Sequence, residues 1–245
     1  MFFNFKSKPK LKELIPEGYV DIHSHVLCGI DDGAKTPSDS KALLEAMKAM
    51  NFAEVIATPH TIANVWDNTS QTINDSLYKV SHQYKDLSSD LKLRAASEYM
   101  MDYSFNERLA SGPLLTLKDN YVLVEMSYLN PPIQLFELLF ELQTKGYTPI
   151  LAHPERYNFY HNDLKTYDKL KSAGCVFQLN LLSTVGYYGK HVQKTAQHLL
   201  KSGLITYVGS DIHHSKHIAA FDQKVQLSSV DILEQALASN RFFKL

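Results

Sequence analysis

Cysteine is scarce in this chain. Only Cys28 and Cys175 occur among 245 residues, far apart and in no CxxC spacing, which excludes a disulfide framework and a structural zinc knuckle and suits a reducing cytoplasm. An excess of one charge is also lacking. With 25 basic and 26 acidic side chains the formal net charge is -1, so no chain-wide basic field exists to neutralise nucleic-acid phosphates, and no nucleic-acid partner is expected. No uninterrupted apolar run reaches membrane-spanning length, and the opening Met1–Lys10 stretch has no apolar signal-peptide core, so the expectation is a soluble, cytoplasmic protein. That stretch alternates Phe and Lys. A strap packing its aromatic residues on the body is expected there, with peripheral membrane contact as the competing reading. Gly/Ser-rich linkers and low-complexity segments are missing too, and 44% hydrophobic residues suffice for one sizeable core, so residues 1–245 are expected to form a single domain with 1–19 as an N-terminal extension.

What the chain does contain is one repeated unit, a short β-branched or apolar run, a loop, and an amphipathic helix. The runs are Tyr19 to His23, Glu54 to Thr58, Leu91 to Ser97, Tyr121 to Met126, Thr148 to Ala152, Cys175 to Leu179 and Ile205 to Gly209. Helical periodicity covers Ser38 to Met50 (opened by Thr36-Pro37-Ser38), Thr69 to Leu87, Ile133 to Lys145, Leu164 to Ala173, Lys190 to Lys201 and Ser229 to Ser239, and is weakest around Phe105 to Ala110. Strict alternation predicts an α/β fold of parallel strands joined by crossovers, either a doubly wound sheet or a barrel.

The choice between the two rests on where metal-capable residues fall. His23 and His25 follow the first run, two apart on an extended chain and so on the same side. His60 ends the second, Glu98 the third and His153 the fifth; Glu125 lies in the fourth, and Asp211 and His213 follow the seventh. Taken alone, each reads more simply as a hydrogen-bonded core histidine or a buried ion pair. Together they converge only if the strands close on one mouth, as in a barrel, where the chemistry of such folds sits. Buried glutamates there also call for cations.

Asp21-Ile-His-Ser-His25, Gly29-Ile-Asp-Asp-Gly-Ala-Lys35, Thr58-Pro-His60, Glu98, Glu125, Ala152-His-Pro-Glu-Arg-Tyr157 and Gly209-Ser-Asp-Ile-His213 resemble, in order and spacing, the PHP (polymerase and histidinol phosphatase) superfamily, and within it the bacterial CpsB/YwqE type of protein-tyrosine phosphatase. The resemblance runs from about Val20 to His213. It implies a distorted (β/α)7 TIM-like barrel with three divalent metal ions, often manganese. His23, His25, Glu98 and Asp211 would hold the first ion, Glu98, Glu125 and His153 the second with Glu98 bridging, and Asp32, His60 and His213 the third. It further implies hydrolysis of phosphotyrosine by a metal-activated hydroxide in capsule or exopolysaccharide regulation, on the tail of a bacterial tyrosine kinase of a polysaccharide system. Arg156, Asp32 and His213 form the expected catalytic set.

Mixed imidazole and carboxylate donors suit manganese, iron or zinc alike, and paired ions serve in-line displacement at phosphorus. Arg156, three residues after His153, can grip two phosphate oxygens. A cysteine-based phosphatase is excluded, since the Cys-x5-Arg position holds Ala34 after Cys28 and Leu181 after Cys175. Two departures from relatives stand out. The usual Gly-Arg-Pro-Pro stretch after the last Asp-x-His is replaced by His214-Ser-Lys-His-Ile-Ala-Ala-Phe221, leaving Lys216 or His217 as stand-ins for a second phosphate-binding arginine, and Thr61 follows His60 where a second histidine is common. His82, His161, His191 and His198 read as solvated or packing histidines, and Tyr99, Tyr128, Tyr157 and Tyr187 either as rim packing or as a stack for the substrate ring. Alternatives are a small-molecule phosphatase of the histidinol-phosphate type, a metal-dependent nuclease, which would want a basic groove, an amidohydrolase, which would want a mid-barrel lysine where Glu125 stands, and a non-enzymatic assembly protein, in which an intact ligand set would be an expensive relic.

Overall fold

Nine short strand segments, all parallel to their neighbours, organise the computed structural model, which describes residues 7–245. In chain order they are β1 (Tyr19–Asp21), β2 (Phe52–Ala57), β3 (His60–Thr61), β4 (Arg94–Ala95), β5 (Glu98–Met100), β6 (Tyr121–Glu125), β7 (Thr148–Ala152), β8 (Val176–Asn180) and β9 (Ile205–Gly209). The helices between and after them are α1 (Pro37–Ala49), α2 (Ser70–Gln83), α3 (Lys85–Asp90), α4 (Phe105–Ser111), α5 (Leu135–Thr144), α6 (Lys165–Ser172), α7 (Lys190–Lys201), α8 (Ser215–Ala220) and α9 (Asp231–Ser239). The start of α1 shows why the chain turns helical where it does. Thr36 caps the helix by accepting from Asp39 N at 3.2 Å, Asp39 answers by accepting from Thr36 N at 2.9 Å, and Pro37 supplies a preset φ at the first helical position.

Pairing runs β1-β2-β4 and β3-β5-β6-β7-β8-β9. Only Thr58 and Pro59 separate β2 from β3, and only Ala96 and Ser97 separate β4 from β5, so the two sheets are one surface of seven strand positions kinked at two of them. The last strand returns to the first. Beyond the ends of β1 and β9, Asp211 N donates to His23 O at 2.8 Å and His25 N to Ile212 O at 2.9 Å. At the opposite end the seam is spanned by a side chain: Asn240 Nδ2 donates to Val20 O at 2.9 Å and Val208 O at 2.7 Å, while its Oδ1 accepts from Val208 N at 3.1 Å. Gly209 permits the approach, because a Cβ there would lie 2.6 Å from that of His23. The result is the distorted seven-stranded barrel expected from the sequence.

Burial follows from closure. Val20, Ile56, Leu123, Ile150 and Tyr207, drawn from β1, β2, β6, β7 and β9, form one apolar cluster with Phe243, while Val122, Val124 and Phe177 pack with residues of α5 and α6 in another. Alternation on β6 thus sends Leu123 into the interior, and Glu125, two positions on, faces the same way at the carboxyl end. The strand positions carry apolar residues on both faces, as parallel strands covered by helices must.

Three sequence readings need correction. The third run, expected over Leu91 to Ser97, begins only at Arg94, because Leu91 closes α3 and Lys92 takes a left-handed turn (φ 41°); it then continues past Ser97 as β5. The helix expected over Thr69 to Leu87 breaks at Tyr84 (φ -126°, ψ 54°) into α2 and α3, although its apolar period continues through the break. The stretch from His214 to Phe221 holds α8, which was not anticipated. Of the N-terminal strap, Phe2, Phe3 and Phe5 lie outside the described residues; the portion that follows is tied down, with Leu11 and Ile15 buried and Leu11 N, Lys12 N and Val225 N bonded to Gln223 O, Phe221 O and Pro9 O at 3.0 Å each.

Since Asn240 is fully buried and serves three backbone groups across the seam, Asn240→Ala is expected to cost about 2–4 kcal/mol through stranded donors and acceptors, read as a lower midpoint in chemical denaturation. A change under about 0.5 kcal/mol would show that the seam is held by other means.

Candidate metal centre

At the carboxyl mouth of the barrel the sequence-predicted residues meet. His23, His25, Glu98, Glu125, His153 and Asp211 are all buried, His60 and His213 are half-buried, and Asp32 stands at the open rim. Glu98 is the hub. Its Oε2 lies 3.2 Å from His23 Nε2, 3.4 Å from His25 Nε2 and 3.0 Å from His60 Nδ1, and its Oε1 lies 3.0 Å from His153 Nε2. Asp211 Oδ1 sits 3.3 Å from His23 Nε2 and 3.4 Å from His25 Nε2. Glu125 meets His60 Nδ1 at 2.7 Å, and Asp32 Oδ1 lies 3.6 Å from His60 Nε2 and 3.3 Å from His213 Nε2.

Four groups therefore have donor atoms close enough to share an ion: His25, Asp32, His60 and His213; His23, Glu98 and His153; His23, His25 and Asp211; and His60, Glu98 and Glu125. All nine residues singled out in the sequence fall in these groups. Glu125 joins through His60, and His153 through Glu98 and His23.

The geometry fits cations better than it fits itself. Glu98 Oε2 is buried and makes no hydrogen bond among the described residues although three imidazole nitrogens surround it, and the Nε2 atoms of His23 and His25 face each other at 3.2 Å. Lone pairs aimed at common points rather than at donors are what a metal site presents. Backbone strain marks the same place: His153 (φ 36°) and Asp211 (φ 51°) adopt left-handed conformations, each costing on the order of 1–3 kcal/mol for a non-glycine residue held against its preference.

Neighbouring residues hold the side chains of the cluster in orientation. Asp31 Oδ2 lies 2.7 Å from His25 Nδ1, and its Oδ1 accepts from Gly33 N at 2.9 Å. Gly33 is required, since a Cβ would meet His25 O at 2.1 Å. Gln178 Oε1 sits 2.8 Å from His23 Nδ1, and Asn180 Nδ2 donates to Asp211 Oδ2 at 2.7 Å. Each bond turns a ring or carboxylate toward the mouth. A signal existed for two of them: Asp31 is half of the Asp-Asp pair, and Gln178 is a polar residue in an otherwise apolar run.

Electrostatics follows from this crowding. Burial pushes the His25 and His60 pKa down, but the facing carboxylates, Asp31, Asp211 and Glu98 for His25 and Glu125 and Glu98 for His60, prevail and raise both well above the ordinary value. Burial likewise opposes ionisation of Glu98, yet His23 and His60 hold it well below the usual carboxylate range. His153 goes the other way, lowered by burial to about 4.

Arg156 lies over the cluster. Its Nη1 donates to Asp211 Oδ2 at 2.8 Å, and its guanidinium is sandwiched between the rings of Tyr128 at 4.7 Å and Tyr188 at 4.1 Å. These residues line a cavity of about 210 Å³ with Asp32, His60, His213, His214 and His217. Of the suggested stand-ins for a second arginine, His217 lines the cavity whereas Lys216 is exposed and does not. Tyr128 is at the rim; Tyr157 is wholly buried and accepts from Met126 N, Tyr99 accepts from Leu115 N, and Tyr187 packs on His217, so all three are packing residues. Tyr188, next to Tyr187, escaped notice in the sequence.

A seven-stranded parallel barrel with this histidine and carboxylate mouth defines the PHP type. The pattern described as "Capsular polysaccharide synthesis, CpsB/CapC" matches residues 19–225, and the chain belongs to that family. The tyrosine-protein phosphatase YwqE of Bacillus subtilis is 29% identical over 198 residues, 80% of this chain and 78% of its own, and the tyrosine-protein phosphatase CpsB of Streptococcus pneumoniae is 29% identical over 201 residues, 80% and 83% respectively. A chain from the crystal structures of these two proteins, described as metal-dependent tyrosine phosphatases, shares 26% identity, covers 92% of this chain and 88% of its own, and superposes with a TM-score of 0.76. The histidinol phosphate phosphatase of Lactococcus lactis (13% identity, 93% of each chain, TM-score 0.52) shares the fold.

Two outcomes are expected. In the metal-free protein the raised pKa of His25 and His60 contributes stability that is fully present below the unfolded value of about 6.5 and lost as pH rises through the folded values. Cations compete with those protons, so the gap in melting temperature between manganese-loaded and metal-free protein should widen as pH rises from 6 to 8; a gap that narrows would contradict the assignment. Asp31→Asn should weaken cation affinity about 10–100-fold in chelator competition while leaving the metal-free fold intact.

Proposed function

We propose that the chain is a metal-dependent protein-tyrosine phosphatase acting in the cytoplasm on a phosphotyrosine-bearing protein, the tail of a bacterial tyrosine kinase of a polysaccharide system. The observation that carries the reading is a guanidinium clamped above a converging set of imidazoles and carboxylates in one small cavity. Membership of the CpsB/CapC family and the names of YwqE and CpsB support it. The near-neutral net charge weighs against a nuclease.

Three divalent cations, manganese with iron or zinc as substitutes, are assigned to His23, His25, Glu98 and Asp211, to Glu98, Glu125 and His153, and to Asp32, His60 and His213. When bound, they supply Lewis-acid charge to phosphoryl oxygens and a water acidic enough to act as nucleophile at neutral pH. The chain's own side chains do the rest. Arg156 spends one nitrogen on Asp211, and its other N–H groups have no hydrogen-bond partner among the described residues, so a phosphate oxygen can take them without breaking the anchor. Tyr128 and Tyr188 prevent the guanidinium from swinging, which lowers the ordering cost when phosphate arrives. Asp32, kept ionised by His213, His60 and His25 against the opposing effect of burial, holds His213 at the open side, where Asp32, His213 and Arg156 together form the catalytic set. Asn180 ties Tyr188 (3.0 Å) and Asp211 into one unit, so Arg156 and the ligand beneath it keep a fixed relation.

The test is hydrolysis of phosphotyrosine peptide and of histidinol phosphate by manganese-loaded protein. At least tenfold higher kcat/KM on the peptide, abolition by exhaustive chelation and in His25→Ala, and a fall of about 100-fold or more in Arg156→Ala are expected, the last equivalent to about 3 kcal/mol of transition-state binding. Preference for histidinol phosphate, or full activity after metal removal, would overturn the reading.

A further inference from the structure

Directly beside the catalytic cavity runs a second groove of about 610 Å³. Its floor comes from residues two positions beyond three of the proposed ligands: Ile62 after His60, Met100 after Glu98, and Ser127 after Glu125. The far wall is the segment entering α5, where Leu138 is buried at the base and Ile133 stands fully exposed at the lip. Ser127 and Tyr128 separate the two spaces. Ser127 lines the groove, while Tyr128 lines the cavity and stacks on Arg156. A molecule whose phosphate lies at Arg156 has its adjoining atoms beside Tyr128, at the entrance to the groove.

The lining says what would lie there. The one carboxylate among its described lining residues, Asp102, is already spent, with Oδ2 accepting from Ala63 N at 2.8 Å and Oδ1 from Ser104 N and Oγ at 2.9 and 2.8 Å. Among the described residues no lysine or arginine lines the groove. Apolar surface is left open at its edge, Tyr103 being 79% and Leu129 86% exposed. The side-chain amides of Asn106 and Gln134 line the same space and suit the peptide groups of an extended chain. Concave apolar surface with a few amide groups is the character of a site for uncharged side chains on a polypeptide.

We propose that this groove receives the polypeptide flanking the phosphorylated tyrosine and selects segments with uncharged apolar or aromatic side chains next to it, disfavouring acidic ones. The inference rests on the phosphatase reading and adds a sequence preference to it. An acidic flank would bury charge where the lining offers no cation, whereas an apolar flank covers the exposed rim.

The experiment compares kcat/KM of manganese-loaded protein on three phosphotyrosine peptides, flanked on both sides by Leu and Phe, by Ser and Gly, or by Asp and Glu, with p-nitrophenyl phosphate as a readout that does not reach the groove. Apolar flanks should exceed Ser/Gly by about tenfold, mainly through KM, with acidic flanks lowest. Ile133→Asp and, separately, Asn106→Asp, both at exposed positions, should erase that preference while changing p-nitrophenyl phosphate turnover less than twofold. Equal kcat/KM on all three peptides overturns the groove and leaves the phosphatase reading standing. Turnover of p-nitrophenyl phosphate with none of the peptides overturns both. Unchanged preference in the variants, with Ile133→Asp instead converting a dimer to a monomer in sedimentation, overturns the groove in favour of a contact between two copies.

Discussion

The arrangement depends on one buried carboxylate, Glu98, whose Oε1 meets His153 while its Oε2 has no hydrogen bond among the described residues. Glu98 sits at zero exposure with three imidazole nitrogens around one oxygen and a fourth on the other. In a low-dielectric interior an ion so placed would neutralise itself or force the structure apart unless positive charge were shared with it. Much else in the barrel follows from serving that requirement: His23 and His25 from the first strand end, His60 from the kink after β2, and His153 from a left-handed turn after β7 all bring nitrogen to the same few ångströms. The folded protein and the loaded centre are therefore thermodynamically coupled, since whatever occupies the centre also determines how costly it is to keep Glu98 inside.

Around that centre lies a ring of groups whose work is orientation. Asp31, Gln178 and Asn180 each spend a polar atom on a residue of the cluster, and Ser210 Oγ donates to Asp21 Oδ2 at 2.6 Å to brace the chain between His23 and Asp211. They come from the loop before α1, from β8 and from the end of β9, elements far apart in sequence. β8 contributes no proposed ligand, yet it steadies His23, Asp211 and, through Tyr188, Arg156.

Much of this was legible in the sequence because two periodicities coincided. Alternation of apolar runs with amphipathic stretches gave the parallel fold, and ligand types recurring at one end of those runs, at His23, His60, Glu98, Glu125, His153 and Asp211, pointed to closure. What escaped has physical reasons. The third strand position was misplaced because apolar Leu91 and Leu93 read as strand, while Lys92 between them turns left-handed. Helix α8 has six residues with Ile218 as its one large apolar side chain, too few to set a periodic signal. Tyr188 and Gln178 became visible as site residues only once β8 lay beside β7 and β9, because the site residues they steady, Arg156 and His23, are more than 20 residues away in the chain.

The clasp at the base of the barrel couples closure of the seam to one short segment. Asn240 spans the seam between the first and last strands, Phe243 fills the apolar interior, Arg94 donates to Phe243 O, and Lys118 holds Phe242 O at 2.9 Å and Lys244 O at 2.7 Å. All of these partners lie within residues 240–244, which follow α9. A barrel in which that segment is undocked keeps the backbone bonds at the mouth, Asp211 N to His23 O and His25 N to Ile212 O, to join its first and last strands. Any state with residues 240–244 undocked therefore exposes strand edges at the base while the charge cluster at the mouth is held by a weakened frame.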